Sequence, residues 1–373
     1  MVECSSPSRG SFCTRSSARI VGCDDDSRSQ RGEGFRVIFD EGLPRQGDAA
    51  PHSPDVTIVI PAKNEARRIE RCLAAVRAQT LPLKEIIVVD GHSGDATAEI
   101  ARRFGARVLY EEYGTRSGAC QVGVEAARGE FLAFTDADCI PDPHWLERLA
   151  ARFAPGISGV GGKIANEGDS FWQKAVDAAL DTIVGSANSV QGRMFGASRY
   201  VSSISGCNSM YRRADLLAVG GFRTDLVTTE DTELNHRLMG RGKLLYTPDA
   251  LVHHRHERGL RDFARRMFQY GYGRGQSLLI GPPLLMPAAA VALAALLLVR
   301  PWTALLFLSA YFVVLVLSSV RPAWRLRNVR LLGALPIILL IEHLEYVAGF
   351  WAGLLRSRIG RTPKVQMDRG EPE

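Results

Sequence analysis

Residues 56–62, VTIVIPA, are almost entirely apolar and indicate a short strand that is buried on both faces. The segment that follows, EARRIERCLAAVRAQ at 65–79, has the period of an amphipathic helix. Its apolar residues at positions i, i+3, i+4 and i+7 are Ile69, Cys72, Leu73 and Val76. A buried strand followed by such a helix is the beginning of a strand–helix repeat.

The repeat continues as far as residue 153. Strands are predicted at 85–90, 106–110 and 130–134, and helices at 96–104, 118–128 and within 141–153. Strands alternating with helices, with continuous apolar strands, predict an α/β fold with a mostly parallel sheet covered by helices on both faces.

Polar residues follow three of these strands at the point where each strand ends. They are Pro61 to Glu65 after the first strand, Asp90 at the end of the second, and Asp136 with Asp138 after the fourth. Ligands of such sheets bind beyond the carboxyl ends of the strands, so these residues predict a site for a phosphorylated ligand. The first turn, PAKNEA, is not GxGxxG, and the chain has no GxxxxGK[ST]. A dinucleotide-binding Rossmann site is therefore not expected, and a P-loop is excluded.

The stretch FTDADC at 134–139 places two carboxylates one residue apart at the end of a buried strand. Two interpretations are open from the residues alone. Asp is common where strands turn, so Asp136 and Asp138 can be turn residues. They can also hold a hard divalent cation, because carboxylate oxygens are the ligands that Mg²⁺ and Mn²⁺ prefer.

The carboxyl-terminal third contains long apolar segments. Residues 278–299 and 302–320 carry no charge and are each long enough to span a membrane. A third segment, 331–355, contains Glu342, His343 and Glu345, and a third span would place the basic residues after it on the outside. A re-entrant or interfacial course resolves this conflict, and so does a tilted span at some cost; we favour the re-entrant course.

Outside these segments the composition sets limits. Residues 1–52 are polar with little periodicity, which predicts a disordered extension with no secretory signal. The net charge of +6 favours an anionic membrane surface, and no basic module typical of nucleic-acid binding is present. The seven cysteines form no CxxC pair, which predicts free thiols in a reducing compartment; they lie at 4, 13, 23, 72, 120, 139 and 207.

Five stretches in order resemble family 2 glycosyltransferases of the membrane-attached bacterial or archaeal polysaccharide type. They are VTIVIPAKNEARRI, IIVVDGHSGDAT, ARGEFLAFTDADC, GCNSMYRRADLLAVGGF and TTEDTELNHRLMGRG. The resemblance covers about residues 55–275 and implies a GT-A fold, a Rossmann-like sheet, followed by transmembrane helices. The expected organisation is an extension at 1–52, a GT-A domain at 53–275, a membrane region at 276–356 with two or three helices, and a polar tail at 357–373.

The resemblance also implies roles for single residues. Pro61, Ala62 and Glu65 would border the nucleotide, and Asp90 would recognise its base or ribose. Asp136 and Asp138 match the DxD motif that binds substrate and a Mg²⁺ or Mn²⁺ ion, with Asp138 the firmer ligand. Residues 206–208 resemble the acceptor-side loop, in which Asn208 would bind substrate. In the triplet 229–231, Glu230 would bind substrate and Asp231 would be the catalytic base.

Several other residues keep two interpretations. The HHRH stretch at 253–256 can supply a metal ligand or be partly solvated surface, and Arg116 can contact phosphate or be solvated. Asp95 is expected to cap a helix. Arg266 or Arg274 can neutralise a diphosphate or meet lipid phosphates.

Two departures from the family pattern bear on the prediction. The QxxRW signature of processive synthases is missing near 265–275, which argues against a long-chain polymerase. Gly91 replaces a second Asp of many relatives, which we do not interpret as loss of function.

Together these features predict an inverting, metal-dependent transferase at the cytoplasmic face of the cell (inner) membrane. It would move one sugar from a nucleotide-sugar to a lipid-linked or membrane-proximal acceptor in exopolysaccharide or cell-envelope synthesis. The nearest alternative is a polyprenyl-phosphate sugar synthase. A nucleotidyltransferase and a non-catalytic membrane scaffold are less favoured.

Overall fold

The computed structural model describes residues 54–168, 170–186, 195–255, 259–278 and 284–358. These residues contain nine strands and twelve helices. The predicted disordered extension at 1–52 lies outside the described residues, as do 359–373 of the predicted polar tail.

The predicted strand–helix repeat forms the first half of the sheet. Strands β1, β2, β3 and β4 pair in parallel in the order β3-β2-β1-β4. Side chains of β1 point alternately to the two faces of the sheet. Ile58 and Ile60 belong to one buried apolar cluster and Val59 belongs to another, so both faces of the sheet are buried. The elements are β1 (Val56–Ala62), α1 (Ile69–Arg77), β2 (Leu83–Asp90), α2 (Thr97–Arg103), β3 (Arg107–Tyr110), α3 (Arg116–Ala126) and β4 (Phe131–Phe134).

The second half turns the sheet into a mixed one. Its elements are β5 (Cys139–Pro141), α4 (Trp145–Ala150), β6 (Ile157–Glu167), α5 (Phe171–Leu180), α6 (Ile183–Ser186), β7 (Arg199–Val201), β8 (Ser209–Arg212), α7 (Arg213–Ala218), α8 (Glu230–Leu238) and β9 (Lys243–Arg255). The strand order continues from β4 as β8-β6-β9-β5, with β7 also paired to β9. The β6–β9 pair is parallel, whereas β4–β8, β6–β8, β5–β9 and β7–β9 are antiparallel. The α/β class is as predicted, and half of the ladders are parallel.

Four helices follow the sheet: α9 (Leu260–Ser277), α10 (Leu285–Val299), α11 (Pro301–Arg325) and α12 (Leu331–Arg358). By length and composition α11 and α12 could cross a membrane. Of the predicted first span at 278–299, the described part contains α10, which has 15 residues, and residues 279–283 lie outside the described residues.

The third segment is α12, one continuous helix of 28 residues that contains Pro336, so it does not turn back as a re-entrant segment does, and the interfacial and tilted courses both fit it. It packs against the rest of the chain. The first half of α12 joins α5 and α11 in a buried apolar cluster that includes Leu335, Ile338 and Leu339. Its second half lies along α9.

Glycines bring the backbones of α9 and α12 close together. A Cβ atom built on Gly271 of α9 would lie 2.0 Å from the carbonyl oxygen of Tyr346 in α12. A Cβ atom built on Gly275 would lie 2.2 Å from the carbonyl oxygen of Phe350. On α12, a Cβ atom on Gly349 would lie 2.0 Å from a carbonyl oxygen of α9. Small residues at such a spacing allow helices to approach to backbone contact. Because these glycines have no side chains, α12 can pack directly against α9.

We expect Gly271→Ala to lower the stability of the chain by about 1–3 kcal/mol, because the added methyl group has no space between the helices. The matched control is Gly333→Ala in α12, where a Cβ atom meets nothing within 4 Å. That control should raise stability by up to ~1 kcal/mol, because Ala has the higher helix propensity. Thermal unfolding in detergent measures both changes. Equal effects of the two substitutions would contradict close packing of α9 on α12.

Candidate active site

The loops after β1 and β2 are joined by a set of hydrogen bonds. The Asn64 amide donates to the Ser93 hydroxyl at 2.8 Å, and the Asn64 side chain accepts from the Gly94 amide at 2.8 Å. The Glu65 amide donates to the Thr97 hydroxyl at 2.8 Å. These bonds link two neighbouring strand ends, so the edge of the sheet has a defined shape.

Of the residues predicted to border a nucleotide, Pro61 and Ala62 are buried at the end of β1. Glu65 is half-buried and forms an ion pair with Arg68 at 3.1 Å. Burial raises the pKa of Glu65, and the nearby carboxylates of Asp138 and Asp136 add to the rise, against the effect of Arg68. Glu65 therefore lies near the DxD pair.

Asp90 is 1% exposed at the end of β2. Its carboxylate accepts the Ser93 amide at 3.1 Å and, through the other oxygen, the Ser93 hydroxyl. Asp95 accepts the Thr97 amide at 3.0 Å at the start of α2 and the Ala66 amide at 3.1 Å. The N-cap of α2 is Ala96, with no side-chain cap, so the cap expected at Asp95 is corrected: its carboxylate forms a turn with the Thr97 amide just before the helix.

Arg116, the first residue of α3, lies between two acidic motifs. Its Nε donates to Asp136 Oδ1 at 3.0 Å and its Nη2 to the same oxygen at 2.5 Å. Its Nη1 donates to Glu230, which is 6% exposed. Burial raises the pKa of Glu230, and Arg116 opposes the rise. Burial disfavours the charge of Arg116, but Asp136 and Glu230 hold its pKa well above the usual value.

Arg116 should therefore stabilise the fold. Arg116→Ala leaves Glu230 buried without its cation, and we expect a loss of about 3–5 kcal/mol in the free energy of unfolding. The double variant Arg116→Ala with Glu230→Gln should recover part of this loss, because no buried charge is then left unpaired. Thermal or chemical unfolding measures both variants. An unchanged stability of Arg116→Ala, or no recovery in the double variant, would contradict the bridge.

Asp138 lies beside His254 of β9. The Asp138 Oδ2 atom is 3.3 Å from His254 Nε2, and the Asn166 Oδ1 atom is 3.2 Å from His254 Nδ1. The cause is strand pairing, because β5 follows Asp138 directly and pairs Cys139 with His254. Burial alone would lower the pKa of His254 and raise the pKa of Asp138. The attraction between the two groups outweighs burial, so the pKa of His254 is raised and the pKa of Asp138 is lowered.

Asp138, Cys139 and His254 offer ligand atoms that all lie within 4.8 Å of one another. The carboxylate and the imidazole fit a divalent cation, and Asn166 can orient the ring so that Nε2 faces the ion. The neighbouring His253 contacts Glu167 instead, at 2.7 Å. His256 lies outside the described residues.

The second acidic motif begins α8. Thr229 precedes the helix with a φ of 62°, a left-handed conformation that is uncommon for a β-branched residue. Asp231 Oδ2 accepts the Gly206 amide at 3.0 Å, and Oδ1 accepts the Thr232 amide at 2.6 Å. Each carboxylate oxygen of Asp231 thus accepts one hydrogen bond from a backbone amide. The bond to Gly206 connects the start of α8 to the loop 205–208.

Asn208 has a different place from the one predicted. It is fully buried, and its amide nitrogen donates to the carbonyl oxygens of Lys163 at 2.8 Å and Ala250 at 3.1 Å. Its oxygen accepts the Trp145 indole N–H at 2.7 Å. The direct substrate contact predicted for Asn208 is corrected, since both amide hydrogens are taken by the backbone. Asn208 instead positions the loop that carries Gly206.

Sequence reasoning missed the partners of Arg116, which it treated as a phosphate contact or a solvated residue. No local pattern links residues 116, 136 and 230, so the pairing depends on the fold. Arg266 of α9 is an electrostatic neighbour of Asp138 and His254. Tyr270 on the same helix is a neighbour of Glu230 and Asp231. Helix α9 therefore lies near both acidic motifs.

A mixed α/β sheet with a DxD pair after β4 and a second acidic motif at the start of α8 is the arrangement of GT-A glycosyltransferases. Residues 57–220 match the family described as "Glycosyl transferase family 2", to which the chain belongs. A solved structure, the mannosyltransferase PcManGT from Pyrobaculum calidifontis in complex with GDP-Man and Mn²⁺, has the same fold. The TM-score is 0.52 at 22% identity, with 79% of this chain and 88% of that one covered.

Curated relatives support the same family. The succinoglycan biosynthesis protein ExoA of Rhizobium meliloti (strain 1021) is 28% identical over 81% of this chain and 95% of its own length. The dolichyl N-acetyl-alpha-D-glucosaminyl phosphate 3-beta-D-2,3-diacetamido-2,3-dideoxy-beta-D-glucuronosyltransferase of Methanococcus voltae is 24% identical over 81% of this chain and 97% of its own length. Glycosyltransferase AglE of Haloferax volcanii is 41% identical over 30% of this chain. The chain spans only 40% of AglE and 50% of two pre-mycofactocin glycosyltransferases.

Proposed function

We propose that the chain is an inverting, metal-dependent glycosyltransferase that moves one sugar from a nucleotide-sugar to a lipid-linked or membrane-proximal acceptor. The observation that carries this proposal is the bridge from Asp136 through Arg116 to Glu230. It makes the DxD motif and the motif of Asp231 neighbours in one site. A donor with a cation can then occupy one side and an acceptor hydroxyl the other.

The proposed reaction is a single displacement at the anomeric carbon. Asp231 accepts the proton of the attacking hydroxyl, and the two amides bonded to its oxygens orient the carboxylate. Asp138 and His254 would hold Mg²⁺ or Mn²⁺, which supplies Lewis-acid stabilisation to the departing diphosphate. Asp90, Glu65 and the end of β1 are proposed to border the nucleotide. Attack opposite the leaving group inverts the configuration.

The acceptor side of the proposal depends on the carboxyl-terminal helices. Two of them, α11 and α12, are long and apolar enough to span a membrane. The Methanococcus voltae relative carries a dolichyl-linked sugar phosphate in its name, and the name of ExoA refers to polysaccharide synthesis. We propose a domain at 53–275 on the cytoplasmic face of the cell membrane, anchored by helices within 276–356, that acts in cell-envelope or exopolysaccharide assembly.

The test of the donor site is a thermal-shift series with the detergent-purified protein. UDP, GDP and CMP, each with and without Mn²⁺, are the ligands. A ligand that binds only the folded chain stabilises it by about 2.7 kcal/mol at a hundred times Kd. We expect a Mn²⁺-dependent shift with one nucleotide class. No shift with any of the nucleotides, for a folded protein, would favour a non-catalytic scaffold.

A second measurement separates the transferase from a nucleotidyltransferase. Turnover of a nucleoside diphosphate-sugar should release the nucleoside diphosphate, whereas a nucleotidyltransferase would need a nucleoside triphosphate and a sugar phosphate as substrates and would release pyrophosphate from the triphosphate. Membrane extracts that contain lipid-linked glycans serve as the acceptor source.

A further inference from the structure

The segment 223–229, which leads into the second acidic motif, is attached to two helices. Near its beginning, the hydroxyl of Thr115, the residue before α3, donates to the Thr224 carbonyl oxygen at 3.0 Å. Near its end, the Thr228 hydroxyl donates to the carbonyl oxygen of Gln269 in α9 at 2.7 Å. The catalytic motif at the start of α8 therefore follows a segment that is held at both ends.

Gly273 allows Thr228 to lie directly against the backbone of α9. A Cβ atom built on Gly273 would lie 2.4 Å from the Thr228 hydroxyl oxygen and 2.5 Å from the Thr228 carbonyl oxygen. A side chain has no space there, because both distances are far shorter than ordinary van der Waals contacts. At 3.6 residues per turn, Gly273 lies on the side of α9 opposite to Gly271 and Gly275, which contact α12. One helix thus joins the catalytic motif to α12.

Thr229, the next residue, has a backbone conformation that needs support. Its φ of 62° and ψ of 18° are left-handed and unfavourable for a β-branched side chain. Its side chain does not cap α8, and its hydroxyl oxygen has no hydrogen-bond partner within the described part of the chain. Its carbonyl oxygen accepts the Glu233 amide at 3.0 Å and so begins the helix. Such a conformation persists only where the surrounding contacts fix it, and the bond from Thr228 to α9 is the adjacent contact.

We propose that Thr228 is a positioning residue for the catalytic base. Its bond to α9 holds Thr229 in the left-handed conformation, and the first turn of α8 then holds Asp231 beside the Gly206 amide. Rotation at Thr229 would turn the start of α8 and displace the carboxylate of Asp231. Because α9 packs on α12, the carboxyl-terminal helices also contribute to the position of the base. The role in sugar transfer rests on the proposed function, whereas the attachment of the segment to α9 does not.

The kinetic test is Thr228→Val in the full-length chain, which removes the hydroxyl group at nearly constant volume. We expect kcat to fall by about 10–100-fold, because a displacement of about 1 Å can cost 10²-fold in rate. KM for the nucleotide-sugar and the Mn²⁺-dependent thermal shift by nucleotide should not change, since the donor side is untouched. Thr228→Ser keeps the hydroxyl group and should retain kcat within about threefold. An unchanged kcat in Thr228→Val, or an equal loss in Thr228→Ser, would overturn the proposal.

Gly273→Ala changes the same contact from the side of α9. Its methyl group displaces Thr228, so kcat should fall without loss of nucleotide binding, and this variant replaces Thr228→Val if that one does not fold. The controls are Gly333→Ala in α12, where a Cβ atom meets nothing within 4 Å, and Thr80→Val, which removes a hydroxyl bonded to Glu147 at 2.8 Å near the opposite end of β2. Both controls should keep kcat within about twofold. A loss in Gly273→Ala no larger than in Gly333→Ala would contradict the proposal.

Amide hydrogen exchange of the detergent-purified protein separates this proposal from the proposed function, because it needs no substrate. In Thr228→Val the amides of residues 229–233 should exchange about 2–10-fold faster than in the parent, as expected for the loss of one hydrogen bond. The amides of β1 should not change. Faster exchange at 229–233, with no sugar transfer by the parent, would support the attachment and contradict the transferase. Unchanged exchange at 229–233 would overturn the proposal whether or not the parent transfers sugar.

Discussion

Asp138→Ala should lower kcat/KM for sugar transfer by about 10³-fold or more, because a charged ligand of the cation is removed. Lewis-acid stabilisation of a leaving group is worth several kcal/mol, and about 4 kcal/mol corresponds to 10³-fold in rate. Asp138 is chosen over Asp136 because it lies beside His254, whereas Asp136 is paired with Arg116. Steady-state kinetics with Mn²⁺ and the Mn²⁺-dependent thermal shift by nucleotide measure the loss.

The matched control is Asp225→Asn, which neutralises an aspartate that is paired with Arg223 on the surface. It should keep kcat/KM and the thermal shift within about twofold, because exposed ion pairs contribute little. If Asp138→Ala still binds nucleotide as tightly in Mn²⁺ as the parent does, Asp138 does not hold the ion. The clamp interpretation of FTDADC would then be wrong.

Asp231→Asn should lower kcat by about 10²–10⁴-fold, the usual contribution of a general base. Nucleotide binding should change little, because the acceptor base is not a ligand of the donor. The substitution also removes an acceptor from the Gly206 or Thr232 amide, which costs about 1–3 kcal/mol if the donor is left unpaired. Kinetics and the thermal shift by nucleotide, measured on the same preparation, separate loss of the base from loss of the fold.

The same variant distinguishes two acceptors. A lipid-linked sugar attacks through a hydroxyl that must lose a proton, whereas a polyprenyl phosphate attacks through an oxygen that is already ionised. Activity that survives Asp231→Asn would therefore favour a polyprenyl-phosphate sugar synthase. The control is Asp215→Asn in α7, a carboxylate outside the site that contacts Arg241 at 3.6 Å. It should leave kcat within about twofold, since this ion pair includes an exposed arginine.

Local periodicity predicted the first half of the sheet. The strand predicted at 85–90 is β2 (Leu83–Asp90), and the helix predicted at 96–104 is α2 (Thr97–Arg103). Burial on both faces makes these strands uniformly apolar, and that signal lies within seven or eight neighbouring residues. The antiparallel β4–β8 pair carries no such signal, because it joins residues about eighty positions apart.

The membrane segments show the limit of hydropathy. The two uncharged stretches were predicted to span, and for the charged one a re-entrant course was favoured over a tilted span. In the structure the charged segment is α12, the longest of the described helices. Helices α5, α9 and α11 pack against it. Hydropathy reports transfer of an isolated helix into lipid, and it contains no information about protein neighbours that cover polar groups.

The amino-acid sequence alone determined the α/β class, the family resemblance and the positions of the acidic motifs, since each depends on residues close together in the chain. Tertiary structure decided which of these residues meet. Pairing of β5 with β9 brings His254 to Asp138, and the start of α3 brings Arg116 between Asp136 and Glu230. Strand register and helix packing are set by burial over the whole domain, so contacts between residues about a hundred positions apart leave no local pattern to detect.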